Sequence, residues 1–248
     1  MKLRLSFVCF LFFFLHNVHF AAKLPAQAQE LVFPPKVNLF QHSRAVSQGQ
    51  LYGFPETRIW GWSNNGKVAY SIETIVEGRG GQVIDFVIMD TVTDKTVFEL
   101  RMDSFDHGED DGATGEALYR LYRASIINAL NTHTIIRGPA AFLPFPINRN
   151  NMTYNAGIVD IQYKNDEYGF FDRVVTKYSV TVTANNRTKT ISIFTPVRAS
   201  VTGYVYMCGY FLSPFENRAL VVTAEEAWVF EGTELFYRFA GCHLEAGF

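Results

Sequence analysis

Trp60-Gly61-Trp62-Ser63-Asn64-Asn65-Gly66-Lys67-Val68-Ala69-Tyr70-Ser71-Ile72 is the stretch that decides the fold. Trp60 and Trp62 alternate across Gly61 with the period of two expected of a strand. Both rings should therefore share one face, with Ile59 on the other. Ser63 to Lys67 reads as a tight turn, because Asn-Gly tolerates the positive φ that a hairpin demands. Val68-Ala69-Tyr70-Ser71-Ile72 returns as a second strand. Downstream, 78–81 is a glycine-rich loop, 83–89 a third strand, Thr93-Asp94-Lys95 a turn and 96–101 a fourth strand. Residues 51–101 thus form a four-strand meander. An extended arm over 29–50 precedes it, marked by Pro34-Pro35, with a short strand at 37–40.

Residues 203–243 repeat this plan. Segments 204–212, 218–223, 227–230 and 234–239 read as strands, joined by turns at Ser213-Pro214-Phe215-Glu216-Asn217 and Glu231-Gly232-Thr233. Ser63 matches Ser213, each opening a turn, and Lys67 and Arg218 each close one. Val68-Ala69-Tyr70 matches Ala219-Leu220-Val221 once one residue is inserted. The pattern is a weak internal repeat. The stretch from Trp62 to Tyr70 resembles the W-S-P-D-G-K-x-A-Y stretch in blades of Tol-type and WD40-like β-propellers, and Phe211-Leu212-Ser213-Pro214 is similar to a degenerate second copy. The order of motif, helix, β-rich end and second motif also resembles a family of predicted secreted bacterial proteins of unknown function. Asn64-Asn65 stands here where those blades carry Pro-Asp. Two units cannot close a propeller, which takes about four blades or more.

The insert between the units carries one amphipathic helix, expected over 113–131. Thr114 can cap it, and Leu118, Leu121, Tyr122, Ile126, Ala129 and Leu130 recur at three and four spacing to give one apolar stripe. Segments 158–163, 174–184 and 188–194 read as strands, the last two joined by Asn185-Asn186. Alternation in Tyr178-Ser179-Val180-Thr181-Val182 predicts one apolar and one Ser/Thr face, the latter wet. The fold expected is mainly β with a minor α part. Two propeller-blade-like antiparallel meanders (51–101 and 203–243) flank an insert with one helix and a β-hairpin region at 158–195, all in one domain over 51–248.

The first 28 residues read as an address. Lys2 and Arg4 precede an apolar run from Leu5 to Leu15 that is broken only by Ser6. As a helix this run covers roughly 16 Å, about half a bilayer core. Ala26-Gln27-Ala28, after Pro25, fits the small-x-small cleavage pattern of a secretory signal peptide. Cleavage there removes three of the 22 basic residues and none of the 24 acidic ones, leaving a mildly acidic chain. No later stretch approaches a membrane span. The expected location is secreted or periplasmic. Charged residues make up 19% of the chain, below the roughly one quarter of ordinary globular proteins, while hydrophobic residues make up 48%. That balance excludes general disorder, and the absence of any basic block gives no nucleic-acid footprint.

Chemistry-bearing residues are few. Asp106, Glu109 and Asp110 lie in an acidic loop before the helix and are candidate metal ligands, since Ca²⁺ takes six to eight oxygens. With Gly112 at the sixth position of a calcium loop, however, the first is His107 and no Glu follows at the twelfth. A solvated loop favouring the helix N-terminus accounts for the same charges. Glu225-Glu226 are adjacent, so on a strand they face opposite sides, which disfavours a glycosidase pair. No G-x-S-x-G occurs. Gly78-Arg79-Gly80-Gly81 is followed by a strand rather than a helix, which favours a hairpin loop over a phosphate loop. Signal cleavage would leave only Cys208 and Cys242. In an exported chain these can form a disulfide, or remain buried thiols. Asn151-Met152-Thr153 and Asn186-Arg187-Thr188 match the glycosylation pattern of a eukaryotic secretory route. The rings of the two meanders are the most suggestive feature. Trp60, Trp62, Tyr210 and Trp228 are candidate binding residues for a sugar, a peptide or a partner protein; strand propensity and core packing are the favoured account of the rings. No cofactor is implied. The function expected is a non-catalytic module that binds or scaffolds another envelope protein. The alternatives are an envelope hydrolase using the acidic loop with His107, or a sugar-binding module.

Overall fold

The computed structural model describes residues 31–39, 51–76, 81–107, 115–138, 140–229 and 232–248, with the backbone alone at 51–53 and 107. In chain order the strands are β1 (Lys36–Val37), β2 (Leu51–Gly53), β3 (Glu56–Trp62), β4 (Lys67–Ile75), β5 (Gln82–Asp90) and β6 (Lys95–Asp103). A 3-10 turn at Ser104–His107 leads to helices α1 (Gly115–Leu121) and α2 (Arg123–Thr132). There follow β7 (Phe142–Leu143), β8 (Ile147–Arg149), β9 (Met152–Asn165), β10 (Arg173–Ala184), β11 (Arg187–Phe194), β12 (Thr202–Leu212), β13 (Arg218–Trp228) and β14 (Thr233–His243).

These build three sheets, ordered β1-β3-β4-β5-β6, β2-β14-β13-β12-β7 and β11-β10-β9-β8. All pairings are antiparallel except the short one between β2 and β14. The chain is mainly β, and it is not a closed propeller. Its layers follow from three hydrophobic clusters. Helices pack on the first sheet through Ile84, Phe86, Leu118 and Ile126. The first sheet packs on the second through Trp62, Tyr70, Leu220 and Phe239. The second packs on the third through Val221, Cys242, Tyr178 and Val180. The second sheet is thus covered on both faces, and its inner strand β13 is buried from Ala219 to Ala227. The arm stitches the layers together: Leu31 and Phe33 enter the helix-side core and Leu39 the core between the first two sheets. Among the described residues no helix is long and apolar enough to cross a membrane.

The first meander has the four strands its sequence predicts. Its turn is closed by Ser63, whose N–H donates to the Lys67 carbonyl at 2.9 Å and whose hydroxyl accepts the Lys67 N–H at 2.8 Å. Gly66 carries the positive φ there, at 83°. Ser213 shares the first of these bonds, its N–H donating to the Arg218 carbonyl at 3.0 Å, but its hydroxyl accepts the Phe215 and Glu216 N–H groups and the Arg218 N–H donates to the Glu216 carbonyl. Ser63 and Ser213 thus each open a turn and Lys67 and Arg218 each close one, with different bonds inside the two turns.

Four expectations need correction. Trp60 and Trp62 do not share a face. The β3–β4 register shifts between Ile59 and Gly61, so Trp60 faces the helices while Ile59 and Trp62 face the second sheet. Such a bulge inserts one residue and resets the alternation. The second meander has three strands rather than four, because 218–228 runs unbroken through the buried Glu225-Glu226. The helix is two short helices meeting at Tyr122, which leaves Leu121 60% exposed and brings Tyr119 and Ile127 into the core instead. The Ser/Thr face of β10 is not wet: Ser179 and Thr181 are buried, since β10 runs between β9 and β11 with their side chains beside it. The proposed cap Thr114 and residues 1–30 lie outside the described residues.

Candidate functional site

A bulge glycine in the first strand of each meander lets the connection between helix and insert press against it. A Cβ on Gly61 would lie 2.2 Å from the Ile136 carbonyl oxygen, and one on Gly209 would lie 2.5 Å from that of Leu143. Ile136 exchanges backbone hydrogen bonds with Trp62 at 2.8 and 3.1 Å, while β7 pairs with Tyr210 and Phe211. The two meanders therefore correspond strand by strand: β3 to β12, β4 to β13 and β5 to β14. They differ at the next position. β6 runs the length of β5, whereas among the described residues only β2 pairs with the corresponding side of β14, at Thr233 and Glu234.

That gap is a groove of about 1080 Å³ between the inner face of the first sheet and the edge of β14. Ile72, Thr74 and the Arg101–Asp85 pair (3.2 Å) wall one side, and Leu235 and Tyr237 the other. Its rim is a stack of rings. Tyr168 lies 6.1 Å from Phe170, and Phe170 lies 4.5 Å from Trp228 at an interplanar angle of 6°. The loop that carries Tyr168 and Phe170 is organised by Asp166, whose carboxylate accepts the Tyr168 and Phe171 N–H groups, both at 2.8 Å. Burial works against the charged form there, but these backbone donors outweigh it and hold the Asp166 carboxyl below its ordinary range. The rings are thus presented on a built loop, with Gly169 at φ 76°. Arg198 lies at the same end, its guanidinium 5.3 Å from the Phe236 ring centre. A smaller cavity of about 540 Å³ shares Pro55, Thr74, Ile75 and Glu234 with the groove and leads to Lys36, Glu56 and Glu73.

Three buried glutamates, each bound by a tyrosine, lie among the layers. Tyr119 of α1 donates to Glu73 at 3.0 Å, with Arg58 Nε 2.5 Å and Lys36 Nζ 3.1 Å from the same carboxylate. Ser71 bridges Tyr119 (2.6 Å) to the indole N–H of Trp60 (3.0 Å). Tyr178 of β10 donates to Glu225 at 2.9 Å, where the Val197 N–H also donates at 2.7 Å. Burial raises the Glu225 carboxyl above its ordinary value despite these donors. Tyr206 donates to Glu226 at 2.6 Å on the opposite face of β13, as the alternation predicts. These are structural anchors that fix one layer or strand to the next.

Of the sequence candidates among the described residues, Trp228 alone borders the groove. Trp60, Trp62 and Tyr210 are buried core residues, 1%, 2% and 4% exposed, and their rings are spent on packing. Asp106 is an exposed residue of the 3-10 turn, while Glu109 and Asp110 lie outside the described residues. Among the described residues no three His, Cys, Asp or Glu cluster as metal ligands do. Cys208 and Cys242 are free thiols, not a disulfide. They belong to cores on opposite faces of the second sheet, and burial pushes their pKa values up to about 12 and about 11. The sequence reading missed Tyr168, Phe170 and Arg198. The available signal was Tyr168-Gly169-Phe170, two rings around a glycine in a turn between strands. No family model, curated protein or solved structure matches the chain.

Proposed function

We propose that the chain is an exported envelope protein, secreted or periplasmic, that acts as a non-catalytic module binding or scaffolding another protein through the β14 groove. The observation that carries this reading is the Tyr168–Phe170–Trp228 stack. Tyr168 is 61% and Phe170 42% exposed, yet both are held by a loop organised around one carboxylate. Rigid rings beside a concave surface supply contact area at low entropic cost, as anchors at protein interfaces do. The signal-like run at 5–15 and the small-x-small site at 26–28 support export. The two related meanders are read as blade-like units whose sheets pack face to face instead of around an axis.

A photo-cross-linking residue placed at Tyr168 tests this in the native envelope. The expected result is one protein adduct of defined mass, lost when Phe170 and Trp228 are both changed to Ala. Sugar binding is the second reading, favoured by the same three rings. A Trp228 fluorescence shift with oligosaccharide and no protein adduct would replace the first reading with it.

A further inference from the structure

We infer, resting on the protein-binding reading above, that the groove takes its partner as an added β-strand: an extended, acidic segment of another polypeptide that pairs with β14 where β6 pairs with β5 in the first meander.

The comparison between the two meanders carries this. In the first, the third strand has neighbours on both sides along its length. In the second, the third strand has β13 along its whole length, and among the described residues only β2 on the other side, at Thr233 and Glu234. β2 stops there because the chain turns away at Phe54-Pro55, and proline has no N–H to donate to a ladder. At the far end, Asp94 takes the Gly241 N–H at 2.7 Å, and the Thr91 carbonyl lies where a Cβ of Gly241 would be. Between these stops lie residues 235–240 of the β14 edge, roughly 20 Å, of which Leu235, Phe236 and Tyr237 line the groove.

Register shows which groups point there. The Gly241 N–H leaves the sheet toward Asp94, and β13 and β14 pair from Arg218↔His243 to Trp228↔Thr233 without a bulge. With a period of two, the backbone N–H and C=O groups of Phe239 and Tyr237 point the same way. A row of outward backbone groups is a template for another strand. The charge preference comes from the rim. Arg198 has the Phe236 ring as its neighbour and, among the described residues, no carboxylate within ion-pairing distance; Arg101 across the groove is already paired with Asp85, and the groove's other carboxylate, Glu234, lies at the β2 end opposite Gly53.

The test tethers a probe strand in the groove. Ser200, exposed and lining the groove, is changed to Cys, and a nine-residue peptide of alternating Val and Thr with one central Glu is attached through a disulfide. Tethering raises the local concentration so that weak pairing registers. Cys208 and Cys242 are buried and stay unmodified. Hydrogen exchange of the Tyr237 and Phe239 amides is read by NMR. The expected result is slowing of at least tenfold, abolished when alternate peptide amides are N-methylated. It should also be several-fold weaker with Lys in place of Glu, a difference that Arg198→Ala removes. Unchanged exchange at both amides with the Glu peptide overturns the inference. If cross-linking from Tyr168 still captures a partner in that case, the binding reading stands and only strand addition fails. Protection that instead appears in the untethered protein with concentration-dependent dimerisation by light scattering assigns the edge to a second copy and also overturns it.

Discussion

Gly61 shows how much one residue decides. At φ 149° it forms the bulge that separates Trp60 from Trp62, and its missing side chain admits the Ile136 carbonyl. Gly61→Ala should cost about 2–3 kcal/mol, a strained backbone plus displacement of a paired segment, measured by urea unfolding. Asp94 is a second such residue. Burial pushes its carboxyl up to about 6, against the pull of the Gly241 N–H and with the help of nearby Asp90. A raised carboxyl pKa means the folded state binds the proton more tightly than the unfolded chain. Its contribution is therefore fully present below the unfolded value near 4 and is lost as pH rises to about 6. Asp94→Asn keeps an acceptor for Gly241 and suits the positive φ of 55°. Thermal melts should show the variant at least as stable as the parent at pH 7, with a smaller change in Tm between pH 4 and 6.

Elements are joined by buried polar contacts as much as by apolar ones. Arg58 of β3 and Lys36 of β1 meet Glu73 of β4, and Arg58 also donates to the Pro34 carbonyl, so the arm, two strands and α1 converge on one carboxylate. Arg58→Met leaves that carboxylate buried with a half-exposed lysine for company. Denaturant unfolding should show a loss of about 3 kcal/mol, part of which returns when Glu73→Leu is added, because the unpaired charge is the main cost. The hairpin chemistry around these elements was readable because it is local. Asn185-Asn186 turns β10 into β11 with both residues at positive φ, as does Asn150-Asn151 between β8 and β9. Both glycosylation-pattern asparagines are thus turn residues, and their identity has a conformational cause.

The described residues form a four-layer stack with a groove beside β14, and the three tryptophans report on it unequally. Trp60 and Trp62 are buried, while Trp228 borders the groove. Acrylamide should quench one emission component only, and Trp228→Phe should remove it. The layering also separates the cysteines. Without reductant, an alkylating reagent should leave Cys208 and Cys242 unmodified in the folded protein and label both after unfolding; a disulfide would leave both unlabelled in either state.

Turn residues, strand periodicity and the Ser63/Ser213 repeat were determined by the sequence alone, because each depends on a few neighbouring residues and their φ preferences. The mainly β class followed from them. Tertiary structure decided which face each ring occupies, that Glu225-Glu226 continue a buried strand, and that the second meander lacks a fourth strand. It also gathered Tyr168, Phe170, Arg198 and Trp228 from separate segments onto one rim. The reason is range. A bulge at Gly61 receives Ile136, a buried carboxylate at 225 is met by Tyr178, and the unpaired stretch of β14 is defined by which of the described strands pair beside it.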